Sequence, residues 1–318
     1  MVNTKIITNK CMKTNKNVQI LLSTYNGENY LREQLNSYIA MEGYENIKVL
    51  IRDDGSTDGT KNILEEYKEV HGFEVIYGKN LGVNHSVKIL IENCDMNCEY
   101  FAISDQDDVW LTHKISLSLE HMQNTDVNKP TVFASRTMLA SERLNPLKEI
   151  PIIKYGVSFF NAMVQNVLPG HTQVLNRELL NILRKNDLTN VLVIDWWIYM
   201  VASAIGEVTV SNQITVLHRQ HGKNAVGYEA NIFKHYLLRA KRILAGDSYK
   251  LTQQLQTFYK QYESLISKEK EEEIRKFIYC QKNIFSRLRY VFCSKIYRQT
   301  KFETFAMKIL YVLGNYKN

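Results

Sequence analysis

The sequence predicts an α/β fold: an open, mainly parallel sheet with helices on its faces, followed by a helical C-terminal region. Three observations carry that prediction. Short apolar runs alternate with stretches of helical periodicity through residues 18–104, a βαβαβαβ order. Each run ends in polar, turn-type residues, and open α/β sheets bind ligands beyond the carboxyl ends of their strands. Beyond residue 229 the helical spacing is nearly unbroken.

In chain order, VQILL (18–22) is the first strand and ends in STYNGENY; Leu31, Leu35, Tyr38 and Ile39 then recur as one helix face. IKVLI (47–51) is the second strand and ends in RDDGSTDGT, with Ile63, Leu64 and Tyr67 marking the next helix. FEVIYG (73–78) is the third strand, and NLGVNHSVKILIENC reads as loop then helix. EYFAIS is the fourth strand, and it runs directly into DQDDVW. Residues 131–228 are mixed, with a strand near TVFASRTML, a helix over 177–185 and another from Asp195. Leu251, Leu255, Phe258, Tyr262 and Leu265 form a helical stripe, and KEKEEEIRK is a solvated helical turn.

The 318 residues are 45% hydrophobic and 23% charged with 14 Gly and 4 Pro, which excludes disordered and collagen-like classes. The net charge of +7 is uneven: residues 229–318 carry 18 Lys and Arg against 8 Asp and Glu, residues 1–228 carry 22 against 25. That asymmetry points to an anionic partner for the C-terminal third. FKHYLLRAKRIL and IFSRLRYVFCSKIYRQTKF interleave apolar and basic residues as helices lying on an anionic membrane do. Packing on the rest of the chain with a solvated basic face is the alternative, and with no nucleic-acid module in the sequence nucleic acid is not expected. Five cysteines make no disulfide framework, and Cys94 and Cys98 lack the second pair of a zinc set, so free thiols in a reducing compartment are expected. The N-terminus MVNTKIITNKCMKTNKN has no apolar h-region, and no uncharged stretch reaches the ~20 residues of a membrane span. A cytoplasmic protein, soluble or peripheral on the inner membrane face, is the expectation.

The chemistry-bearing residues sit at the strand ends. Asp105-Gln106-Asp107 can converge two carboxylates on a hard cation, Mg²⁺ or Mn²⁺, and so relieve the repulsion among Asp105, Asp107 and Asp108; a solvated acidic turn is the alternative. In RDDGSTDGT, Thr57 or Asp58 serves as a helix cap, which leaves Asp53 and Asp54 unexplained; a strand-end carboxylate can accept from a pyrimidine N–H or a ribose hydroxyl. Tyr25 offers a ring for a base to stack on, or packs in the core. In VLVIDWWIYM, Asp195 either caps the following helix or acts chemically. His218 and His221, with Arg219 between them, form a second polar cluster.

ILLSTYNGENYL, IRDDGSTDGT, NLGVN and ISDQDDVW, in this order and spacing, resemble the nucleotide-binding half of family 2 inverting glycosyltransferases of GT-A fold, over residues 18–228. SDQDDVW, with the later DWW and RQHG, is similar to the rhamnosyltransferase-type branch that builds bacterial surface polysaccharides. The resemblance implies a GT-A catalytic domain over 18–228, its nucleotide-binding half 18–110 and its acceptor half 111–228, between an extension (1–17) and the basic helical region (229–318). It implies donor contacts from Ser23, Tyr25, Asp53, Asp54, Asn84, Asp105, Gln106 and Arg219, with Tyr25 stacking on the base and Asp54 accepting from the pyrimidine. Asp107 and His221 become the metal ligands and Asp195 the general base that deprotonates the acceptor hydroxyl. Gly170, His171, Thr172, Trp110, Trp196 and Trp197 become candidates for the acceptor wall. Relatives carry an Arg or an aromatic where this chain has NHSVK, so Lys88 is only a candidate for the diphosphate side. The implied reaction moves a sugar, rhamnose from deoxythymidine diphosphate or a hexose from uridine diphosphate, onto a saccharide carried by a polyprenyl diphosphate. A nucleotidyltransferase is disfavoured because STYNGENY lacks the Gly-rich basic loop, and a nucleotide-sugar sensor would not need Asp195.

Overall fold

The structure is a computed structural model that describes residues 18–188, 191–221 and 249–317. Its centre is a nine-stranded sheet. Strands β1 (Val18–Thr24), β2 (Ile47–Asp53), β3 (Glu74–Tyr77) and β4 (Tyr100–Ser104) pair in parallel in the order β3-β2-β1-β4. Helices α1 (Leu31–Ile39), α2 (Thr60–His71) and α3 (Val83–Asn93) make the crossovers between them. This is the βαβαβαβ half expected from the apolar spacing.

The second half of the sheet is mixed. β5 (Val109–Trp110), α4 (Lys114–Met122), β6 (Thr131–Ala140), β7 (Pro146–Glu149), the short α5 (Phe159–Ala162), β8 (Val174–Asn176), α6 (Arg177–Arg184), α7 (Ile194–Ile205) and β9 (Glu207–Arg219) follow in order. β8 runs antiparallel to both β4 and β6, while β6 and β9 are parallel. β5 closes the order against β9, antiparallel, with Val109 opposite Leu217 and Trp110 opposite Val216. This pairing sets DQDDVW against the end of β9, 110 residues later in the sequence.

Strand alternation sorts the core into two layers. Leu21, Phe101 and Ile103 face one side with α3, α6 and α7; Ile20, Leu22 and Ala102 face the other with α1, α2 and α4. Local signals end the helices where the sequence suggests. Gly72 closes α2 at φ 70°, and Asn176 accepts from the Leu179 N–H at 3.0 Å to open α6. Gly55 sits at φ +83°, and a Cβ there would lie 2.9 Å from the Asn80 nitrogen, so the turn after β2 requires glycine.

Helices α8 (Tyr249–Tyr262), α9 (Lys268–Tyr279), α10 (Ile284–Cys293) and α11 (Lys301–Leu313) complete the described chain. Their buried stripe shares one hydrophobic cluster with α7: Phe258 meets the Trp197 ring edge-on at 5.6 Å, and Leu255, Ile274 and Tyr311 join the same core. Thr300 caps α11, its Oγ1 accepting from the Glu303 N–H at 3.0 Å and donating to the Glu303 carboxylate at 3.3 Å. The stretch FKHYLLRAKRIL lies outside the described residues. Among described cysteines Cys94 and Cys98 are buried free thiols, as expected, but Cys293 is exposed. No helix among the described residues is long and apolar enough to cross a membrane.

Candidate active site

The ends of β1 and β2 are sewn into one surface. Asn26 N–H donates to Ser56 Oγ at 2.8 Å, Gly27 N–H to Thr60 Oγ1 at 2.8 Å, and Thr57 N–H to Asn26 Oδ1 at 2.8 Å. Thr60, not Thr57, begins α2; Asp58 stands just ahead of its cap and accepts from the Thr60 N–H at 3.0 Å. Tyr25 projects from this surface with 44% of its area exposed. Ser23 is half-buried on β1, opposite Arg52 in the ladder.

Several residues read as donor contacts are instead occupied in building this surface. Gln106 clamps the β1 end, accepting from Thr24 Oγ1 at 2.6 Å and Tyr25 N–H at 2.8 Å and donating to the Tyr25 carbonyl at 3.1 Å. Asp53 is fully buried and accepts from the Ser56 N–H at 3.2 Å. Asp54 is buried against Arg52, and its two oxygens accept from the N–H groups of Leu81 at 2.9 Å and Gly82 at 2.8 Å. With three of its about four lone-pair sites so used, Asp54 is a loop anchor. Asn84 reaches the other half of the fold: its Nδ2 donates to the Val191 carbonyl at 2.9 Å and its Oδ1 accepts from the Ile194 N–H at 3.1 Å, fixing the entry to α7. Lys88 pairs with Glu92 at 3.6 Å along its own helix.

The acidic loop after β4 meets the end of β9 residue by residue, because the antiparallel register continues past Val109 and Leu217. Asp108 Oδ1 lies 2.6 Å from His218 Nδ1, and the Asp107 carbonyl accepts from Arg219 Nε at 3.0 Å. Asp107 Oδ2 is 2.8 Å from His221 Nε2, and the His221 ring packs on Tyr30 with centroids 4.6 Å apart. Arg219 is 2% exposed, lies over the Tyr30 ring at 4.8 Å and pairs with Glu33. It therefore fixes the Asp107 loop, where it was expected among the donor contacts. His171 stacks on His218 at 4.7 Å and reaches Thr137 Oγ1 with Nε2 at 3.0 Å. Two stacked imidazoles do not both carry a positive charge. Burial drives His171 down to about 3. Burial also opposes charge on His218, but the hydrogen bond and charge of Asp108 outweigh it and push His218 up to about 9. His218 is a member of the site that the sequence left unassigned, and Asp108, expected to be structural or part of the acceptor wall, is its partner.

Asp195 lies in the first turn of α7, whose cap residue is Val193, so it does not cap the helix as the structural reading supposed. Its Oδ2 accepts from the Gly170 N–H at 2.9 Å and its Oδ1 from the Trp196 N–H at 2.6 Å. Burial pushes the carboxyl up to about 6, against the lowering effect of those two N–H groups, and the nearby Asp105 charge adds to the rise. Asp105 stands 3.6 Å from His171, its side chain 44% exposed. It faces the opening from a cleft deep enough that desolvation still raises its own carboxyl. Asp105, Asp195 and Gly170 thus line one opening, with the Asp107–His221 pair at the same loop.

The acceptor wall is narrower than expected. Trp197 is fully buried in the α8 contact, Thr172 is fully buried and donates to the Pro169 carbonyl at 2.7 Å, and Trp110 is 2% exposed against Tyr38 at 5.0 Å. His171 faces the Asp108 cluster. Trp197, Thr172 and Trp110 are corrections, because a side chain sealed in the core touches no acceptor; His171 instead lies 3.6 Å from the half-exposed Asp105. Trp196, partly buried, ties α7 to α5 through its Nε1 to the Ala162 carbonyl at 2.6 Å. Gly170 remains at the opening; a Cβ there would meet Asp195 Cβ at 3.2 Å.

Two donor sets could take a cation. Asp107 with His221 gives one carboxylate and one imidazole, 15% and 6% exposed, which suits an ion that keeps positions for phosphate oxygens. Asp108, His171 and His218 bring three donor atoms within 4.8 Å, and Asp108 Oδ2 is buried with no hydrogen-bond partner.

The comparisons agree with this architecture. The family model of Glycosyl transferase family 2 matches residues 19–183. The chain is 31% identical to a dTDP-rhamnosyl transferase, RfbG, of Shigella flexneri over 225 residues, 66% of this chain and 74% of that one. It is 31% identical to an uncharacterized glycosyltransferase of Rickettsia conorii over 149 residues, 44% of this chain but 24% of that longer protein. Among solved structures, S. aureus TarS 1–349 in complex with UDP superposes with a TM-score of 0.55 at 14% identity, covering 94% of this chain and 89% of that 1–349 fragment. The mannosyltransferase PcManGT from Pyrobaculum calidifontis, in complex with GDP-Man and Mn²⁺, superposes with a TM-score of 0.53 at 14% identity, covering 94% and 85%. At such identities the likeness is one of fold, the GT-A type that the strand-end motifs imply. With more than half its length inside the family match and its strand-end carboxylates gathered at one cleft, the chain belongs to glycosyl transferase family 2 and is a glycosyltransferase.

Proposed function

We propose that this enzyme inverts the anomeric centre as it transfers L-rhamnose from deoxythymidine-diphosphate rhamnose to a saccharide on a lipid carrier, in bacterial surface-polysaccharide synthesis. The observation that carries the reading is Asp195, a carboxylate in the first turn of α7 that accepts from the Gly170 N–H and is poised at about 6. Its carboxylate takes the proton of an acceptor hydroxyl as the hydroxyl oxygen bonds to the sugar's anomeric carbon, while the bond to the nucleotide diphosphate breaks on the opposite face. Tyr25 offers its exposed ring to the base, and Asp105 faces the donor. Asp107 and His221 would hold a divalent cation, Mn²⁺ or Mg²⁺, which supplies positive charge to the departing diphosphate. The rhamnosyl donor follows the RfbG relative; a uridine-diphosphate hexose is the second reading, favoured by the complex of S. aureus TarS with UDP-GlcNAc.

Membrane association rests on α10 and α11. Phe285, Leu288 and Phe292 stand 80%, 38% and 87% exposed along one face of α10; Phe302, Phe305, Ile309 and Leu313 stand 62%, 63%, 44% and 68% exposed along α11. Residues 284–313 carry six Lys or Arg and one Glu. Exposed apolar stripes with basic flanks fit an anionic membrane face, which supports a peripheral place on the inner leaflet. The test is product formation from a panel of nucleotide sugars with a lipid-linked saccharide. Deoxythymidine-diphosphate rhamnose should give product; turnover with a uridine-diphosphate hexose alone moves the assignment to the second reading, and no transfer with any donor rejects both.

A further inference from the structure

A cavity of about 600 Å³ opens between the loop before α5 and the first turns of α11. Arg298, Lys301 and Lys308 give it three cations, and Ser158 and Thr304 give it hydroxyls. Arg298 donates to the Val164 carbonyl at 2.8 Å and lies 3.8 Å from the Glu303 carboxylate, and Lys308 donates to the Val291 carbonyl at 3.1 Å. Lys301 is exposed at the first position of α11. Phe305 lines the same cavity and also belongs to the exposed stripe of α11, so the apolar face leads straight into the basic recess. One end anionic and the other apolar is the complement of this arrangement.

The recess is also coupled to the base. Ser158 N–H donates to the Tyr199 hydroxyl at 3.2 Å, and Tyr199 and Trp196 are both on α7 with Asp195. Ser158 Oγ opens α5, accepting from the Asn161 N–H at 3.3 Å, and α5 receives Trp196 Nε1 on the Ala162 carbonyl. A ligand seated here lies against the element that orients the base. Headgroups of bulk lipid need no recess; a carrier whose sugar must reach Asp195 does.

We propose that this cavity seats the phosphate-bearing head of the acceptor's isoprenoid carrier. Arg298, Lys301 and Lys308 receive the diphosphate, and the chain leaves along Phe305 towards the membrane. This rests on the lipid-linked acceptor of the preceding subsection. The test uses the full chain and three probes: farnesyl diphosphate, inorganic diphosphate, and phosphatidylcholine vesicles doped with phosphatidylglycerol. Farnesyl diphosphate should bind more tightly than inorganic diphosphate. Lys301→Glu should weaken it about tenfold or more, the scale of one lost hydrogen bond between charged groups, and Phe305→Ser should weaken it while leaving inorganic diphosphate unchanged. Deoxythymidine diphosphate affinity should be the same in all three proteins, which verifies folding. Equal farnesyl diphosphate affinity in the wild type and Lys301→Glu overturns the proposal. So does equal affinity for inorganic diphosphate, which marks a plain anion site, or binding to the doped vesicles alone, which marks a bulk-lipid headgroup site. Farnesyl diphosphate binding without any sugar transfer would leave the cavity assignment standing and reject the reaction.

Discussion

Replacing Asp195 by Asn separates chemistry from structure. The carboxyl is held at about 6 against an ordinary 3.8, so ionising it in the folded protein costs about 3 kcal/mol by linkage. Asn removes that cost. It also turns one acceptor into a donor facing either the Gly170 or the Trp196 N–H, a loss of about 1–3 kcal/mol. The two effects nearly cancel, so the variant should melt close to the wild type near neutral pH. Turnover should fall by roughly 10²–10⁴, the usual contribution of a general base, with nucleotide affinity within a few-fold. The sign with pH follows from the raised value. Folding stability gains as pH falls through about 6 towards the unfolded value, since the buried group prefers to be neutral. Activity moves the opposite way, because the base must be ionised: kcat/KM, which reports the free enzyme, should drop about tenfold per pH unit below about 6. Initial rates from pH 5 to 8, beside thermal melts, check both trends. Near-normal turnover in Asp195→Asn, or a flat wild-type profile through pH 6, refutes the reasoning.

Three further outcomes follow from the same geometry. Gly170→Ala puts a methyl 3.2 Å from Asp195 Cβ and should lower kcat at least tenfold while nucleotide affinity, read by calorimetry, stays unchanged. Asp107→Ala should abolish the Mn²⁺-dependent part of deoxythymidine diphosphate binding, with the residual affinity matching that of the wild type in EDTA; undiminished Mn²⁺ dependence contradicts the ligand assignment. Trp197→Ala should cost about 3–5 kcal/mol in denaturant unfolding, since the ring is fully buried between α7 and α8; a loss below 1 kcal/mol, by that same measure, contradicts its placement.

The half of the fold built from local crossovers was legible because each strand and helix carries its own period. VQILL, IKVLI, FEVIYG and EYFAIS all appear as parallel strands, and the ligand-bearing loops stand at their carboxyl ends. The antiparallel half was less legible, because its pairings join distant segments. No local signal says that residues 107–108 will oppose residues 218–221, yet that register brings Asp107 to His221 and Asp108 to His218. The polar residues were found at the right loops but not with the right tasks. Asp54, Asn84, Gln106 and Arg219 all reached the site, and tertiary hydrogen bonds spent their donors and acceptors on loops the sequence does not place beside them. The two tryptophans after Asp195 differ by one helical step, about 100°; that step sends Trp197 into the α8 core and leaves Trp196 on α5.

The central claim is single displacement with Asp195 as base, and the anomeric configuration of the product tests it most directly. Nuclear magnetic resonance of the glycan made from the preferred donor should show the anomeric centre inverted relative to the nucleotide sugar. A product with retained configuration contradicts the account.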